Sequence, residues 1–222
     1  MGNFTYFTAF DSDAGRELWK TDGTAAGTQR VADIIVGATG SNPTGLIVIT
    51  NTAGIQTLFF VAKDPAKGRE LFKLENTANA VPIRISDIVA NASDAGIGNL
   101  TNVNGTLHFT ASQGLAGLGD RIFKVNTART AVEITGGGMS FVNNLVAIGS
   151  TLFFTQSPQV GNRRLDKLVN GAVVSIKTFT MVDGQEDPIP QQMTVVGTRL
   201  FFTAADGPLT RRIWATNVGA TS

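Results

Sequence analysis

The stretch Gly15-Arg16-Glu17-Leu18-Trp19-Lys20-Thr21-Asp22-Gly23-Thr24 decides the fold, because altered copies of it recur along the chain. The copies lie at residues 68–73, 119–124, 163–167 and 211–214. Each copy keeps an aliphatic residue at the position of Leu18, and all but one keep an aromatic residue at the position of Trp19. Such recurrence indicates a repeating structural unit before it indicates an activity.

A second marker, a mostly aromatic pair followed by Thr or Val, advances in step with the first. Its second residue is Phe7, Phe60, Phe109, Phe154 and Phe202 in turn, so that successive steps are 53, 49, 45 and 48 residues. Two markers that advance in parallel predict five repeat units. These cover residues 3–50, 51–103, 104–148, 149–196 and 197–222.

Within a unit, short strands follow one another in a fixed order. The apolar segment 145–148 meets the turn Gly149-Ser150 and returns as residues 151–155. Asn104-Gly105 and Gly197-Thr198 stand at equivalent places and favour the positive φ angles of tight hairpins. The Glu-Leu-Trp strand comes next, and then an outer strand with alternating polar and apolar residues. We expect that outer strand at residues 28–34, 82–88 and 131–135 in the first three units.

Four antiparallel strands in about 45 residues are typical of a β-propeller blade. A composition of 25 Gly, 14 Phe and only 16% charged residues also favours strands and turns over amphipathic helices. We therefore predict an all-β fold, a single β-propeller domain over residues 1–222 with about five four-stranded blades. The first and last units supply three strands each, which predicts 18 strands in all. Either a five-bladed ring closes with two incomplete blades, which we favour, or another chain completes the array through these terminal strands.

Composition excludes several classes of function. The net charge is +1, with 18 basic and 17 acidic residues spread along the chain, which argues against nucleic-acid binding. Without cysteine there is no thiolate metal site, disulfide or Cys nucleophile, and no apolar run is long enough to span a membrane. His108 is the sole histidine, so a catalytic triad is not expected. Its position on a predicted inner strand indicates a packed or channel-facing side chain. The acids Asp183, Glu186 and Asp187 share one Pro-containing loop that is typical of a solvated turn, and we predict no enzyme activity.

The candidate ligand-binding residues belong to the repeated stretch. An exposed Trp can stack against a sugar ring, whereas an aromatic residue that recurs at blade spacing ordinarily packs between blades. Asp166 replaces the aromatic residue in the fourth unit, which suggests that this position is only partly enclosed there. The recurring arginines before the strand either bind ligand or form ion pairs between blades. The candidates are Arg16, Trp19, Asp22, Arg211 and Trp214.

A calcium site is a further candidate. Asp11 and Asp13 alternate before Gly15 and are followed by Glu17, so their carboxylates could converge on one hard cation. The alternative is an Asp-capped turn between two strands.

Residues 17–28, Glu-Leu-Trp-Lys-Thr-Asp-Gly-Thr-Ala-Ala-Gly-Thr, resemble the signature of the ELWxxDGT repeat family, closely in the first unit and less so in later ones. The resemblance implies a β-propeller-like array in large bacterial exported or surface proteins, and it supplies no catalytic residue. We expect an extracellular or cell-surface location, with any export signal outside this sequence. The predicted function is a non-enzymatic module that binds a glycan or another surface protein. The alternative is an assembly protein whose incomplete blades associate with a partner chain or with a second copy.

Overall fold

The computed structural model describes residues 1–89, 93–113, 120–125, 131–133, 141–159, 162–169, 171–181, 186–205 and 210–219. In this part of the chain the backbone forms eighteen β-strands and no helix, which confirms the all-β prediction and the predicted number of strands. The strands form five antiparallel sheets of three, four, four, four and three strands in chain order.

The first sheet contains β1 (Thr5–Asp11), β2 (Gly15–Thr21) and β3 (Gln29–Arg30). The second contains β4 (Thr44–Thr50), β5 (Gln56–Asp64), β6 (Gly68–Glu75) and β7 (Ile83–Arg84). The third contains β8 (Gly98–Val103), β9 (Thr106–Ala111), β10 (Arg121–Val125) and β11 (Ala131–Glu133). The fourth contains β12 (Asn143–Ile148), β13 (Thr151–Gln159), β14 (Asn162–Val169) and β15 (Ala172–Thr180). The fifth contains β16 (Gln191–Val196), β17 (Arg199–Ala204) and β18 (Arg212–Asn217).

The predicted hairpin turns are confirmed. Asn104 and Gly105 both have positive φ angles, 46° and 81°, as a two-residue turn between right-twisted strands requires. Gly149 and Gly197 have φ angles of 58° and 61° at the first turn position. The sequence therefore located the connection between the first two strands in the third, fourth and fifth units.

The outer strands of the first two units are shorter than predicted. β3 and β7 have two residues each, where seven were expected. The backbone N–H of Val31 still donates to Leu18 O at 2.8 Å, and then residues 34–39 bend and turn away from the sheet. Gly40 lies where this connection returns: a Cβ on it would lie 2.3 Å from the backbone N of Arg16. The connection thus packs on the start of β2, and the sheet cannot extend further along it.

The chain divides into two compact bodies. The first comprises Met1–Gly98, Ala111–Gly114 and Val125–Ala131, and the second comprises Asn99–Thr110, Leu115–Lys124 and Val132–Ser222. The repeat spacing gave no sign of this division, and the single propeller domain stays a prediction.

In the first body, the first and second sheets pack face to face. Leu18 of β2 joins a cluster with Phe60 and Phe72 of the second sheet, whose rings stack at 5.7 Å. Leu18 and Phe60 are fully buried. The repeated strands therefore supply the core residues between successive sheets.

In the second body, the Phe153-Phe154 pair has no exposed side. Phe154 packs with Val103 and Ile122 of the third sheet, whereas Phe153 packs with Leu200 and Phe202 of the fifth. Both phenylalanines are fully buried. This confirms that the aromatic pair lies on an inner strand whose two faces meet two neighbouring sheets.

Candidate functional site

The aromatic residue of the repeated stretch lies opposite the second residue of the aromatic pair on the neighbouring strand. These cross-strand pairs are Phe7 with Trp19, Phe60 with Phe72, Phe154 with Asp166 and Phe202 with Trp214. In the third unit the rings of Phe109 and Phe123 stack at 5.6 Å. The repeated aromatic position is thus part of the packing within and between sheets.

Trp214 shows that packing most clearly. Its ring meets Phe179 of the fourth sheet edge to face at 5.6 Å, and Lys177 Nζ lies 5.0 Å from the ring centroid. Its indole N–H donates to Ala204 O at 3.1 Å. The ring contacts Phe179, Phe202 and Lys177 and its polar atom is hydrogen-bonded, so this half-buried residue packs between two sheets.

Trp19 differs from Trp214 in its polar atom. The ring is half-buried, and its indole nitrogen is buried without a hydrogen-bond partner in the described part of the chain. A buried donor without an acceptor costs free energy on the order of 1–3 kcal/mol. Of the two tryptophans predicted to bind ligand, Trp19 is therefore the one whose indole N–H has no acceptor among the described residues.

The inference that the aromatic position is partly enclosed at Asp166 is wrong. Asp166 is fully buried. Its carboxylate accepts hydrogen bonds from Arg164 Nε and Nη2 at 3.1 and 3.0 Å, and another from Gln156 Nε2. A buried carboxylate is tolerated when it is paired in this way. The partner Arg164 lies two residues earlier on the same strand, a spacing that places both side chains on one face and that the sequence could have revealed.

Arg211 acts as a clamp within its own part of the fold. Its guanidinium donates to Thr203 O at 3.0 Å, Ile189 O at 2.9 Å and Asp187 O at 2.7 Å, and it pairs with Glu186 at 2.8 Å. These contacts commit four of its five N–H donors to the protein. Arg69, at the same repeat position in the second unit, binds Val61 O and Asn42 O in the same manner.

Asp187 contacts Arg163 of its own unit and, through its backbone carbonyl, Arg211 of the fifth unit. Arg163 of β14 donates to its carboxylate from Nε and Nη2 at 2.9 and 2.8 Å, and Ile189 N donates at 3.0 Å. Partial burial acts to raise the pKa of Asp187, but these hydrogen bonds and the charges of Arg163 and Arg211 outweigh it and hold the pKa below its ordinary value. Arg163 therefore forms an ion pair within its own unit, and Arg211 forms one with Glu186 of the preceding unit. Arg69 bonds to carbonyl and hydroxyl oxygens, so ion pairing between blades is seen for Arg211 and stays a prediction for the repeated arginines as a set.

Asp22 closes its own turn. Its Oδ1 accepts hydrogen bonds from Thr24 N at 2.9 Å and Thr24 Oγ1 at 2.7 Å, and these bonds lower the pKa of the carboxyl group. Thr24 Oγ1 in turn accepts from Gly27 N at 2.9 Å, and Thr28 donates to Thr24 O at 2.7 Å. The Asp-Gly-Thr-x-x-Gly-Thr segment is therefore a self-bonded turn, which accounts for its residues without a ligand.

The three candidate calcium ligands are not brought together. Glu17 is fully buried and accepts hydrogen bonds from Ser41 N at 2.7 Å and from the Ser41 hydroxyl. Asp11 accepts from Asp13 N at 2.8 Å, the pattern of an Asp-capped turn, and pairs with Arg30 at 3.4 Å. In the described part of the chain no group of three or more His, Cys, Asp or Glu side chains could hold a metal ion. The geometry favours the capped turn over the calcium loop.

The five candidate ligand-binding residues do not form one groove either. Arg16 lies opposite Phe10, and Trp19 lies opposite Phe7, so the two side chains leave opposite faces of the first sheet. Asp22 follows β2 in its turn. The same three-residue spacing separates Arg211 from Trp214.

The sequence did not predict the burial of two glutamates. Glu17 and Glu70 share one repeat position, are fully buried, and each accept a hydrogen bond from a serine, Ser41 and Ser86 respectively. Burial raises the pKa of Glu70 despite that bond. Corresponding backbone hydrogen bonds align the two repeat units. Val31 N donates to Leu18 O as Ile85 N donates to Leu71 O. Lys63 N donates to Ser41 O as Ser112 N donates to Ala95 O. By that alignment Ser86 of the second unit corresponds to Ala32 of the first, and Ser41 of the first unit corresponds to Ala95 of the second. Each unit therefore has a serine at one of the two positions and an alanine at the other.

Two clefts lie at corresponding places between successive sheets. The larger, about 440 Å³, is lined by Val103, Asn104, Thr106, His108, Lys124, Ser150, Leu152, Leu168 and Gly171. The smaller, about 250 Å³, is lined by Tyr6, Lys20, Gln29, Arg30, Val31, Leu74, Glu75, Thr77, Asn79, Ala80 and Val81. Tyr6 corresponds to His108, Lys20 to Lys124 and Leu74 to Leu168 in the repeat.

His108 is the ring at the larger cleft. It is buried, with an exposed fraction of 8%, and its Nδ1 lies 3.3 Å from Thr106 O. Burial and the nearby charge of Lys124 lower its pKa, so that the imidazole is neutral at pH 7. The predicted packed environment is confirmed.

No known protein family matches the sequence, and no curated protein matches it at a significant level. The ELWxxDGT resemblance therefore stays a prediction. Solved structures do match. Puromycin hydrolase is 14% identical, with a TM-score of 0.62 over 98% of this chain and 35% of its own. A puromycin-hydrolyzing peptidase of Mycobacterium tuberculosis is 12% identical, with a TM-score of 0.56 over 97% of this chain and 34% of its own. TolB from Acinetobacter baumannii is 14% identical, with a TM-score of 0.50 over 99% of this chain and 52% of its own.

At such low identity these similarities concern the fold alone, and they support a β-propeller-like architecture. The chain spans about a third of the length of the two hydrolases and about half that of TolB. Where the structure is described, it has no helix with the length and apolar character needed to cross a membrane.

Proposed function

We propose that this chain is a non-enzymatic binding module, built of β-propeller blades, that acts outside a bacterial cell or on its surface and binds a glycan. The observation that carries the proposal is the recurrence of a polar cleft at one repeat position between successive sheets. We prefer the clefts to Trp214 as the site, because Trp214 is committed to packing, and Trp19 stays a candidate.

The lining of both clefts suits a sugar. The half-buried Tyr6 ring in the smaller cleft can pack against the C–H face of a pyranose, and the imidazole of the buried His108 in the larger cleft can exchange a hydrogen bond with a sugar hydroxyl. Hydroxyl and amide side chains, among them Thr106 and Asn79, can exchange hydrogen bonds with sugar hydroxyls. A volume of about 440 Å³ is within the range of ordinary small-molecule sites.

The experiment uses two residues that occur once each. Tyr6 is the single tyrosine and His108 the single histidine, so NMR of protein labelled at Tyr and His reads the two clefts separately. A glycan array first selects oligosaccharides, and each is then titrated into the labelled protein. Binding with shifts at Tyr6 or His108 supports the proposal. An array without binders at high protein concentration, or binders that move neither signal, would contradict it.

The alternative is an assembly protein whose fifth sheet associates with a second copy of the chain. At the Leu position of the repeat, Leu18, Leu71, Ile122 and Leu165 are all 0% exposed, whereas Ile213 is 79% exposed. In the described part of the chain the fifth sheet has three strands, and a further sheet of the same kind would cover the exposed Ile213.

Light scattering after size exclusion tests this alternative at micromolar concentration. If the fifth sheet mediates association, the wild type is a dimer or larger and Ile213→Asp is a monomer with an unchanged melting temperature. Val36→Asp is the matched control, because Val36 is 89% exposed in a connection outside the sheets. A strictly monomeric wild type rules the assembly function out.

A further inference from the structure

Among the described residues that line the cleft at His108, Lys124 is the one with a charged side chain. The polar lining of the cleft consists of Asn104, Thr106 and Ser150, with His108 as the ring and Lys124 as the cation. The apolar part comes from Val103, Leu152 and Leu168. A site with one cation, several neutral polar groups and an apolar wall fits a ligand that has one negative charge and several hydroxyls.

We propose that this cleft binds a carboxylate-bearing sugar of the uronic acid class, with the carboxylate against Lys124 Nζ and the ring hydroxyls against the neighbouring amide and hydroxyl side chains. The inference rests on the proposed glycan-binding function and specifies its ligand.

Lys124 is set apart from the lysines at the same repeat position. Lys73 Nζ pairs with Glu75 at 2.6 Å, Lys167 Nζ donates to Val218 O at 3.0 Å, and Lys20 Nζ lies 4.8 Å from the centroid of the Phe4 ring. In the described part of the chain Lys124 has no hydrogen bond, ion pair or ring partner, although its side chain is half-buried. A partly desolvated ammonium without a counter-ion is suited to an anionic ligand.

The surroundings of Lys124 favour an anion. The neighbouring His108 is neutral at pH 7, so it adds no second cation and its ring can donate or accept a hydrogen bond. On the facing fourth sheet the lining residues are Ser150, Leu152, Leu168 and Gly171, none of which is charged. Among the described lining residues, a bound carboxylate therefore meets one positive charge and no acid.

The corresponding cleft of the first body differs in charge. Its cations are already partnered, Lys20 with the Phe4 ring and Arg30 with Asp11 at 3.4 Å. Glu75 also lines this cleft and would repel a carboxylate. We therefore expect the acidic sugar to bind at His108 and not at Tyr6, which makes the smaller cleft an internal control.

Glucuronate is titrated into protein labelled at Tyr and His, with glucose as the neutral sugar and acetate as the plain carboxylate. We expect glucuronate to shift the His108 signals with a millimolar dissociation constant and to leave Tyr6 unmoved. Lys124→Met should weaken this binding about tenfold or more, since a charge-assisted contact is lost. Lys63→Met is the control and should bind as the wild type does, because Lys63 is an exposed lysine outside both clefts. Melting temperatures show whether both variants are folded.

The outcomes separate this inference from the function on which it rests. If glucose shifts His108 as strongly as glucuronate does and Lys124→Met binds normally, the acidic-sugar inference is wrong while glycan binding stands. If acetate binds as tightly as glucuronate, the cleft is an anion site and the sugar assignment is wrong. If glucuronate moves neither signal, the inference fails, and the glycan array then decides the broader function.

Discussion

Replacing Ser86 by alanine should destabilise the protein, because the serine hydroxyl serves two buried groups at once. Its Oγ accepts a hydrogen bond from Leu71 N at 2.8 Å and donates one to the Glu70 carboxylate. Glu70 is fully buried and Ser86 is 6% exposed, so water cannot take the place of the hydroxyl without rearrangement. The substitution leaves the backbone N–H of Leu71 without its partner, and it removes the hydroxyl donor of the buried Glu70 carboxylate, which keeps a bond from the Ile88 backbone N–H.

The expected cost is about 2–4 kcal/mol at pH 7, since a hydrogen bond to a charged group contributes about 1.5–3 kcal/mol and an unpaired buried donor adds to it. For a chain of this size that is a fall of about 4–16 °C in melting temperature, at about 2–4 °C per kcal/mol. Urea unfolding followed by tryptophan fluorescence measures the loss as a shift of the midpoint.

Two further variants test the reason for that loss. In a Glu70→Gln background the charge is absent, so Ser86→Ala should cost about 1 kcal/mol only. Ala95→Ser should restore part of the stability of Ser86→Ala, because the corresponding position in the first unit is Ser41, which supplies the hydroxyl for Glu17. Equal costs in both backgrounds, or a midpoint for Ser86→Ala indistinguishable from the wild type, would refute the reasoning.

The pH dependence has a definite sign. Because the pKa of Glu70 is raised by burial, the folded state binds its proton more tightly than the unfolded state does. The contribution of Glu70 to the stability of the protein is present below its pKa in the unfolded state and is lost as pH rises through its pKa in the folded state. Ser86→Ala raises the folded pKa further, so its cost should be larger at pH 7 than near pH 5. A cost that does not change with pH would mean that Glu70 stays in one protonation state throughout.

Three other predictions concern the remaining contacts. Because the pKa of Asp187 is lowered in the folded state, its contribution to the stability of the protein is present above its unfolded-state pKa of about 4 and is lost as pH falls through its folded-state pKa. Arg163→Ala should therefore lower the free energy of unfolding by about 0.5–1 kcal/mol at pH 7 and by little in acid, as measured by urea unfolding. Calcium and a chelator should give the same melting temperature, since Glu17 is committed to Ser41; a higher value with calcium would restore the metal site. Trp214→Ala should cost about 3 kcal/mol in urea unfolding through the cavity it leaves between two sheets, and an unchanged midpoint would show that the ring is not part of the core.

Local chemistry explains why much of the fold could be predicted from the sequence. Tight turns need residues that adopt positive φ, and inner strands between two sheets need apolar residues at consecutive positions, so Asn104-Gly105 and Phe153-Phe154 each identified their element. The outer strands were overestimated because their length depends on where the following connection packs, as Gly40 does against Arg16. That contact joins residues far apart in the chain and leaves no periodic pattern.

The stretch 15–24 by itself determined the repeat, the strand order within each unit and the all-β class, because propensity and periodicity are properties of neighbouring residues. Tertiary structure alone decided what its polar residues do. The glutamate became a buried acceptor for Ser41 or Ser86, the aspartate a turn closure, and the arginine in its fifth copy a clamp. The clefts at Tyr6 and His108, which we propose as the site, also depend on tertiary structure, because each cleft is formed by residues of two sheets and its charge depends on the partners of each lysine.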